Sequence, residues 1–311
     1  MENQLISPNG TPSSRYCFGT MQFGGRADAA QSRAMYDASR AAGITFFDTA
    51  FAYTDGASET LLGEFAAPER DALVIATKCD FSGPSTAENI NRSLDTSRTR
   101  LGMDFIDVFY LHRWDGETPL ERSFDALATL QQHGKIGAIG VSNFSAWQVM
   151  KAQAVAKTFG TRIDILQPMY NLVKRQVEVE ILPMAVSEGF MVAPYSPLGG
   201  GLLTGKYTTG TKGRLSEDKG YAVRYGPDWM HHAAKQLATI ARREGIHPAT
   251  LAVAWVAQNP AITAPIISAR TIEQLQPSLA ALTYRMPAEL YTEITALSPT
   301  PPPATDRLDD V

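Results

Sequence analysis

Cysteine is almost missing from this chain: Cys17 and Cys79 are the only two in 311 residues. Two thiols cannot form a disulfide framework, and the opening MENQLISPNG lacks the basic-then-apolar order of a secretory signal. A reducing, cytoplasmic location is expected. Excess positive charge is absent too. With 28 Lys and Arg against 32 Asp and Glu, the net charge is −4, which leaves no footprint for nucleic acid or an anionic membrane. No apolar stretch approaches the roughly 20 residues of a bilayer span. Histidine is sparse, at 112, 133, 231, 232 and 247, with no spacing that closes a metal site around the cysteines. Nor does a G-x-G-x-x-G follow the first apolar run, which weakens a doubly wound open sheet. A small neutral or polar ligand is the partner class left standing, and nothing in the sequence marks an oligomeric state. Both thiols read as structural, since Cys79 follows Lys78 in a strand and should point to the opposite face.

What the chain does have is alternation. Short apolar runs at 17–23, 45–50, 72–79, 106–112, 136–143, 165–171, 190–198 and 262–269 are separated by longer segments of helical period. Strand and helix in turn predict a parallel sheet, and eight such units close a barrel. Helix starts stand at Ser85 with Glu88, Thr118 with Pro119 and Glu121, Ser145 with Gln148, and Thr271 with Gln274. In each, a hydroxyl can accept from the open N–H groups of the first turn, and an acidic or amide side chain can reciprocate. Gly43, Gly102, Gly134, Gly160 and Gly189 stand where helices must stop before strands two, four, five, six and seven.

The expected fold is therefore α/β, a (β/α)8 TIM barrel forming one domain over 1–311. Three features depart from a plain barrel. QLISPNGTPSSR (4–15) carries a Pro-Asn-Gly turn and reads as an N-terminal β-hairpin plugging the barrel floor. Residues 199–230 are too long and glycine-rich for a simple loop, so a mobile functional flap is expected there. Extra helices are expected at 230–244 and 247–258 and again at 286–297, ahead of a proline-rich, flexible tail at 298–311.

A barrel binds its ligands at the carboxyl ends of its strands, and this sequence places a polar residue at nearly every one. Asp48 ends strand two, Tyr53 follows in its loop, Lys78 ends strand three and His112 ends strand four. Ser142 and Asn143 end strand five, Gln167 lies on strand six, Tyr195 and Ser196 on strand seven, and Arg270 follows strand eight. A phenol of pKa ~10 protonates a carbonyl oxygen poorly at neutral pH, whereas an adjacent ammonium lowers that pKa. Lys78 is the candidate ammonium, Asp48 the carboxylate that keeps it charged, and His112 a neutral N–H donor to the carbonyl. Such a set delivers a proton but has no nucleophile. The carbon it leaves must accept hydride, which implies a nicotinamide cofactor.

The stretch GITFFDTAFAYTDGASETLLGE (43–64) resembles the aldo-keto reductases, with Asp48, Tyr53, Glu59 and Gly63 at that family's spacing. So do ATKC around Lys78, DVFYLHRWD around His112, GKIGAIGVSNF (134–144), YSPLGGGLLTGKY (195–207) and PIISARTIEQL (265–275), and the likeness runs from about Tyr16 to Leu297. The resemblance implies a carbonyl reductase with Tyr53 as general acid, Lys78 and Asp48 as its tuning pair and His112 orienting the carbonyl. It implies that Ser142, Asn143 and Gln167 hold the nicotinamide carboxamide, that Tyr195 stacks on the ring, and that Ser196, Leu198, Gly200 and the residues through Lys206 cover the pyrophosphate. Ser268, Arg270 and Gln274 then belong to the adenosine end, and the Arg270 fork favours NADPH. Two positions depart from the pattern: Ile267 stands where many members have lysine, and Ser278 where many have asparagine. Substrate choice falls to loop aromatics, Phe23 and Trp114 first, with Phe51 and Tyr225 behind them. The alternative is a regulatory subunit or redox sensor that binds the nucleotide on the same fold.

Overall fold

Eight short strands lie side by side in the computed structural model, which describes residues 4–209 and 213–307. Part of the expected flap (210–212) and the end of the tail (308–311) thus lie outside the described residues. The chain runs β1 (Cys17–Gly19), α1 (Ala29–Ala41), β2 (Phe46–Asp48), α2 (Ala57–Ala66), β3 (Val74–Lys78), α3 (Ala87–Leu101), β4 (Ile106–Leu111) and α4 (Leu120–Gln132). It continues with β5 (Ile136–Ser142), α5 (Ala146–Thr158), β6 (Ile165–Gln167), α6 (Ile181–Glu188), β7 (Met191–Val192), α7 (Arg214–Glu217) and α8 (Lys219–Arg224). The last elements are α9 (Asp228–Glu244), α10 (Pro248–Gln258), β8 (Ile266–Ile267), α11 (Ile272–Ala280) and α12 (Ala288–Thr295).

The strand order is β7-β6-β5-β4-β3-β2-β1-β8, parallel throughout. Between β7 and β8 the ring closes through individual bonds: the Thr263 and Ala264 amides donate to Val192 O at 2.9 and 3.2 Å, and Ile266 N to Pro194 O at 2.9 Å. The product is a (β/α)8 TIM barrel, as the alternation predicts.

Side chains on a strand alternate between faces, so parity sorts the sheet into two cores. Cys17, Phe46, Val74, Ala76, Val108, Tyr110, Ile165, Met191, Ala193, Ala264 and Ile266 fill the barrel's interior with Leu5 beneath them. Residues of the other parity, Phe18, Phe47, Ile75, Cys79, Phe109 and Val141 among them, pack outward against the helices. Cys17 and Cys79 are both buried and free, one in each core. Tyr110 fits because β5 leaves it a space: a Cβ on Gly140 would sit 2.2 Å from the Tyr110 ring. The N-terminal turn is a hairpin with a single antiparallel bridge, Ile6 with Pro12, and it turns at Gly10, whose φ is +88.

The predicted cap holds at Thr271, whose hydroxyl accepts from Gln274 N; at Ser145 the reciprocal half is present, its N–H donating to Gln148 Oε1 at 2.8 Å. Elsewhere the caps shift. Thr86 rather than Ser85 caps α3, because the Asp115 carboxylate takes Ser85 N at 2.7 Å. Asp115 also takes the Thr118 hydroxyl, so Thr118 is not the cap of α4. Gly102 and Gly189 end α3 and α6 in left-handed geometry at φ 64 and 70. The expected flap is not an irregular loop. It carries 3-10 turns at Gly199–Thr204 and Lys206–Thr209 and then α7 and α8. Beyond α12, residues 301–307 form no helix or strand, although the start of the tail is tied down by Arg175, which donates to Thr295 O and Ser298 O. No helix among the described residues is long and apolar enough to cross a membrane.

Candidate active site

The same parity that builds the interior delivers the site. Asp48 follows Phe46 by two positions, Lys78 follows Ala76, His112 follows Tyr110, Gln167 follows Ile165, Tyr195 follows Ala193 and Ser268 follows Ile266. Six of the eight strands therefore end their inward column with a polar group. All of these ends but the fully buried Lys78 line a cavity of about 820 Å³.

At its floor Lys78 Nζ donates to Asp48 Oδ1 at 2.6 Å, to Thr49 O at 2.6 Å and to the Tyr53 hydroxyl at 3.3 Å. The side chain of Lys78 has no exposure and that of Asp48 only 3%. Burial alone would lower the Lys78 pKa; Asp48 and the Tyr53 oxygen outweigh it and hold that pKa above its ordinary value. The expectation for Tyr53 needs correcting in sign. Lys78 does pull the phenol down, but burial pushes it up by more, so Tyr53 stands above an ordinary tyrosine. His112 lies edge-on to Tyr53, ring centroids 5.9 Å apart, and its pKa falls to about 3 through burial and the nearby Lys78 and Arg113 charges. The imidazole is neutral. Its Nδ1 is buried and unpartnered.

The Tyr53 loop is held from behind. Arg100 donates to Phe51 O at 2.9 Å and to the fully buried Glu59 at 3.0 Å, and Glu59 also accepts from Thr77 Oγ1 at 2.6 Å. Thr54 and Asp55 follow Tyr53 with φ of 47 and 53. That conformation is unfavourable for a β-branched residue, so the surroundings must impose it. The Thr54 hydroxyl donating to Phe23 O at 2.8 Å is one such restraint.

Gln167 Nε2 donates to Asp48 Oδ2 at 2.8 Å, so this amide is tied to the floor of the site. Asn143, itself at φ 59, donates to His112 O and accepts from the Tyr195 hydroxyl at 2.7 Å. Ser142 donates to Gln167 O at 2.9 Å. Along the rest of the cavity lie Ser196, Leu198, Gly200, Lys206, Ser268, Arg270 and Gln274. Ser268 Oγ is buried without a partner at the cavity wall. Arg270 reaches Glu217 of α7 at 2.9 Å, and Glu217 also holds Arg26 at 2.9 Å, tying the covering segment to the barrel. Gly200 and Gly201, at φ 65 and 93, bring backbone to the cavity without side chains. An orphaned hydroxyl, bare backbone and a row of cations suit a long ligand bearing phosphates.

Four expected substrate contacts do not reach the cavity. Phe23 has no exposure at all; a turn with Phe23 N on Thr20 O folds its ring back onto Phe18 and Phe65 at 5.6 and 6.0 Å. Trp114 stacks edge-on against Phe144 and Trp147 at 5.2 and 5.5 Å, outside the cavity wall. Tyr225 is buried, and Phe51 lies under Arg92 and Arg100. In their place the cavity is lined by Phe81, whose ring meets His112 at 4.7 Å, and by Met21, Gln22, Arg214, Tyr221 and Arg224. Phe81 stands three residues past the end of β3, where position alone could have found it. Arg214, Tyr221 and Arg224 depend on how the 199–230 segment folds over the barrel.

A model of the Aldo/keto reductase family matches residues 15–299. The chain belongs to that family. It is 33% identical to the uncharacterized oxidoreductase YrpG of Bacillus subtilis, over 97% of each chain. It is 34% identical to aflatoxin B1 aldehyde reductase member 2 of Homo sapiens, over 85% of this chain and 80% of that one. It is also 32% identical to a probable voltage-gated potassium channel subunit beta of Oryza sativa, over 91% of each. This aldo/keto reductase is accordingly an oxidoreductase of carbonyl and alcohol groups that works with a nicotinamide nucleotide.

Proposed function

We propose that the protein reduces an aldehyde or ketone to the alcohol with NADPH, reversibly, and that Tyr53 gives the proton. The observation that carries this reading is the single ammonium of Lys78 reaching both Asp48 and the Tyr53 hydroxyl, at 2.6 and 3.3 Å. When bound, the cofactor supplies the hydride. Tyr53 keeps its proton at neutral pH because burial raises the phenol, and Lys78 stabilises the phenolate that remains once the proton has moved to the carbonyl oxygen. Asp48 keeps Lys78 charged, and Gln167 keeps Asp48 in place. His112, neutral at its pKa of about 3, orients the carbonyl by donating an N–H without adding a charge.

Ser142, Asn143 and Gln167 would hold the carboxamide and Tyr195 would stack on the ring, the Tyr195–Asn143 bond giving way to the ligand. Ser196, Leu198, Gly200 and Lys206 would follow the pyrophosphate, and Ser268, Arg270 and Gln274 would take the adenosine end. The free hydroxyl of Ser268 and the fork of Arg270 favour a 2′-phosphate there, hence NADPH. The test is steady-state oxidation of NADPH and NADH, side by side, over a panel of aldehydes and ketones. Sustained turnover with a preference for NADPH is expected. Tight NADPH binding without turnover of any carbonyl would instead make this chain a sensor or regulatory subunit.

A further inference from the structure

We infer that Arg224 grips the substrate, and that the carbonyl compounds this site takes best carry a carboxylate. The inference deepens the reductase reading and rests on it. Four cationic side chains line the cavity, Lys206, Arg214, Arg224 and Arg270, against two carboxylates, Asp48 and Glu273. Asp48 is already committed to Lys78 and Gln167.

Three of the four cations share one end. Arg270 pairs with Glu217, Lys206 feels Arg270 and Glu217 as its charged neighbours, and Arg214 feels Arg26 and Arg270 and touches Met21 Sδ at 3.9 Å. A dinucleotide's phosphates would account for these three. Arg224 shares the ring of Tyr221 with Arg214, 4.9 Å against 4.0 Å from its centroid, but among the described residues makes no hydrogen bond or ion pair with Arg270, Lys206 or Glu217, and Tyr221 in turn stacks on Tyr225 at 6.2 Å. The field of Arg224 falls on Tyr195, Tyr225 and Lys174, and Tyr195 is coupled in turn to Tyr53. Arg224 lines the cavity on the side of Tyr221, Tyr225 and Tyr195.

There it has no partner of opposite sign. Among the described residues no carboxylate pairs with Arg224, and the charge that acts with it is another cation, Lys174, whose ammonium is pushed down by burial and by Arg224. Like charges with no acid beside them cost free energy, and an anion bound in the cavity at Arg224 would relieve that cost. The guanidinium fork matches a carboxylate in two parallel hydrogen bonds. A substrate whose carbonyl meets Tyr53 and His112 therefore reaches Arg224 best with a carboxylate at its other end.

The test compares kcat/KM with NADPH for 4-carboxybenzaldehyde and 4-nitrobenzaldehyde, two molecules of similar shape and activation that differ in charge. Wild type, Arg224→Gln and Arg224→Lys are measured together with the NADPH dissociation constant of each. Wild type should prefer the carboxylate. In Arg224→Gln that preference should shrink by roughly tenfold to a hundredfold, the size expected for a charge-assisted pair, mainly through KM, and Arg224→Lys should restore part of it. Equal losses on both aldehydes, or no preference in wild type, would overturn the inference alone. A parallel loss of NADPH affinity would reassign Arg224 to the cofactor and overturn it too. If wild type turns over neither aldehyde, the reductase reading falls first and takes the inference with it.

Discussion

At the scale of single residues, the site is a competition between burial and charge. His112 loses its charge to burial, with Lys78 and Arg113 adding to the effect, and its folded pKa of about 3 lies far below the ordinary 6.5. Between those values the unfolded chain binds a proton that the folded chain does not, so His112 costs stability as pH falls through that window. The imidazole resonances of His112 should therefore show a neutral ring down to about pH 4, and replacing His112 should flatten the fall in stability below pH 6.5. A midpoint near 6.5 for this ring would contradict the burial argument. Tyr53 moves the other way, upward through burial against the pull of Lys78. In the cofactor-free protein, the ultraviolet tyrosinate signal that Tyr53→Phe removes should appear only above pH 10; a step near neutrality would show that Lys78 dominates after all. The composition of this cluster was legible in the sequence because its members end strands. The sign at Tyr53 was not, since it depends on how much water the loop excludes.

At the scale of elements, what could be read was parity, and what could not was direction after a strand ends. Asp48, Lys78, His112, Gln167 and Tyr195 follow their strands' inward columns, so periodicity alone placed them on one rim. Phe23 did not obey it because β1 stops at Gly19 and the chain turns back into the outer core. Trp114 was misjudged for a related reason: the cluster with Phe144 and Trp147 brings together loops that follow β4 and β5, a contact no local pattern encodes. Helix packing gives a sharper test. A Cβ on Gly63 of α2 would lie 2.2 Å from Leu101 O at the end of α3, where backbone cannot yield. Gly63→Ala should separate the two helices, cost roughly 1–3 kcal/mol and lower the melting temperature by several degrees. Because Arg100 of α3 holds the Phe51 carbonyl beside Tyr53, kcat should fall as well. An unchanged melting temperature would show that α2 and α3 slide apart freely.

At the scale of the whole molecule, the strands of the barrel carry the proton machinery and are covered by a segment that the sequence marked only by length and glycine. That segment brings Arg214, Tyr221 and Arg224 to the cavity and fastens itself through Glu217 to Arg26 and Arg270. Its contribution was illegible because four- and six-residue helices carry too little periodicity to be seen. A ligand that bridges barrel and cover should stabilise both: NADPH at a hundred times its dissociation constant should add about 2.7 kcal/mol to the folded state. The thermal shift with NADPH should exceed that with NADH, and Arg270→Ala should erase the difference; equal shifts in wild type would remove Arg270 from the phosphate. The most direct test of the account as a whole is a single turnover at 340 nm with saturating NADPH and 4-nitrobenzaldehyde, wild type beside Tyr53→Phe. Loss of a positioned proton donor should slow Tyr53→Phe by about 10²–10⁴-fold while NADPH still binds. A Tyr53→Phe variant that reduces the aldehyde at the wild-type rate would show that the proton comes from elsewhere.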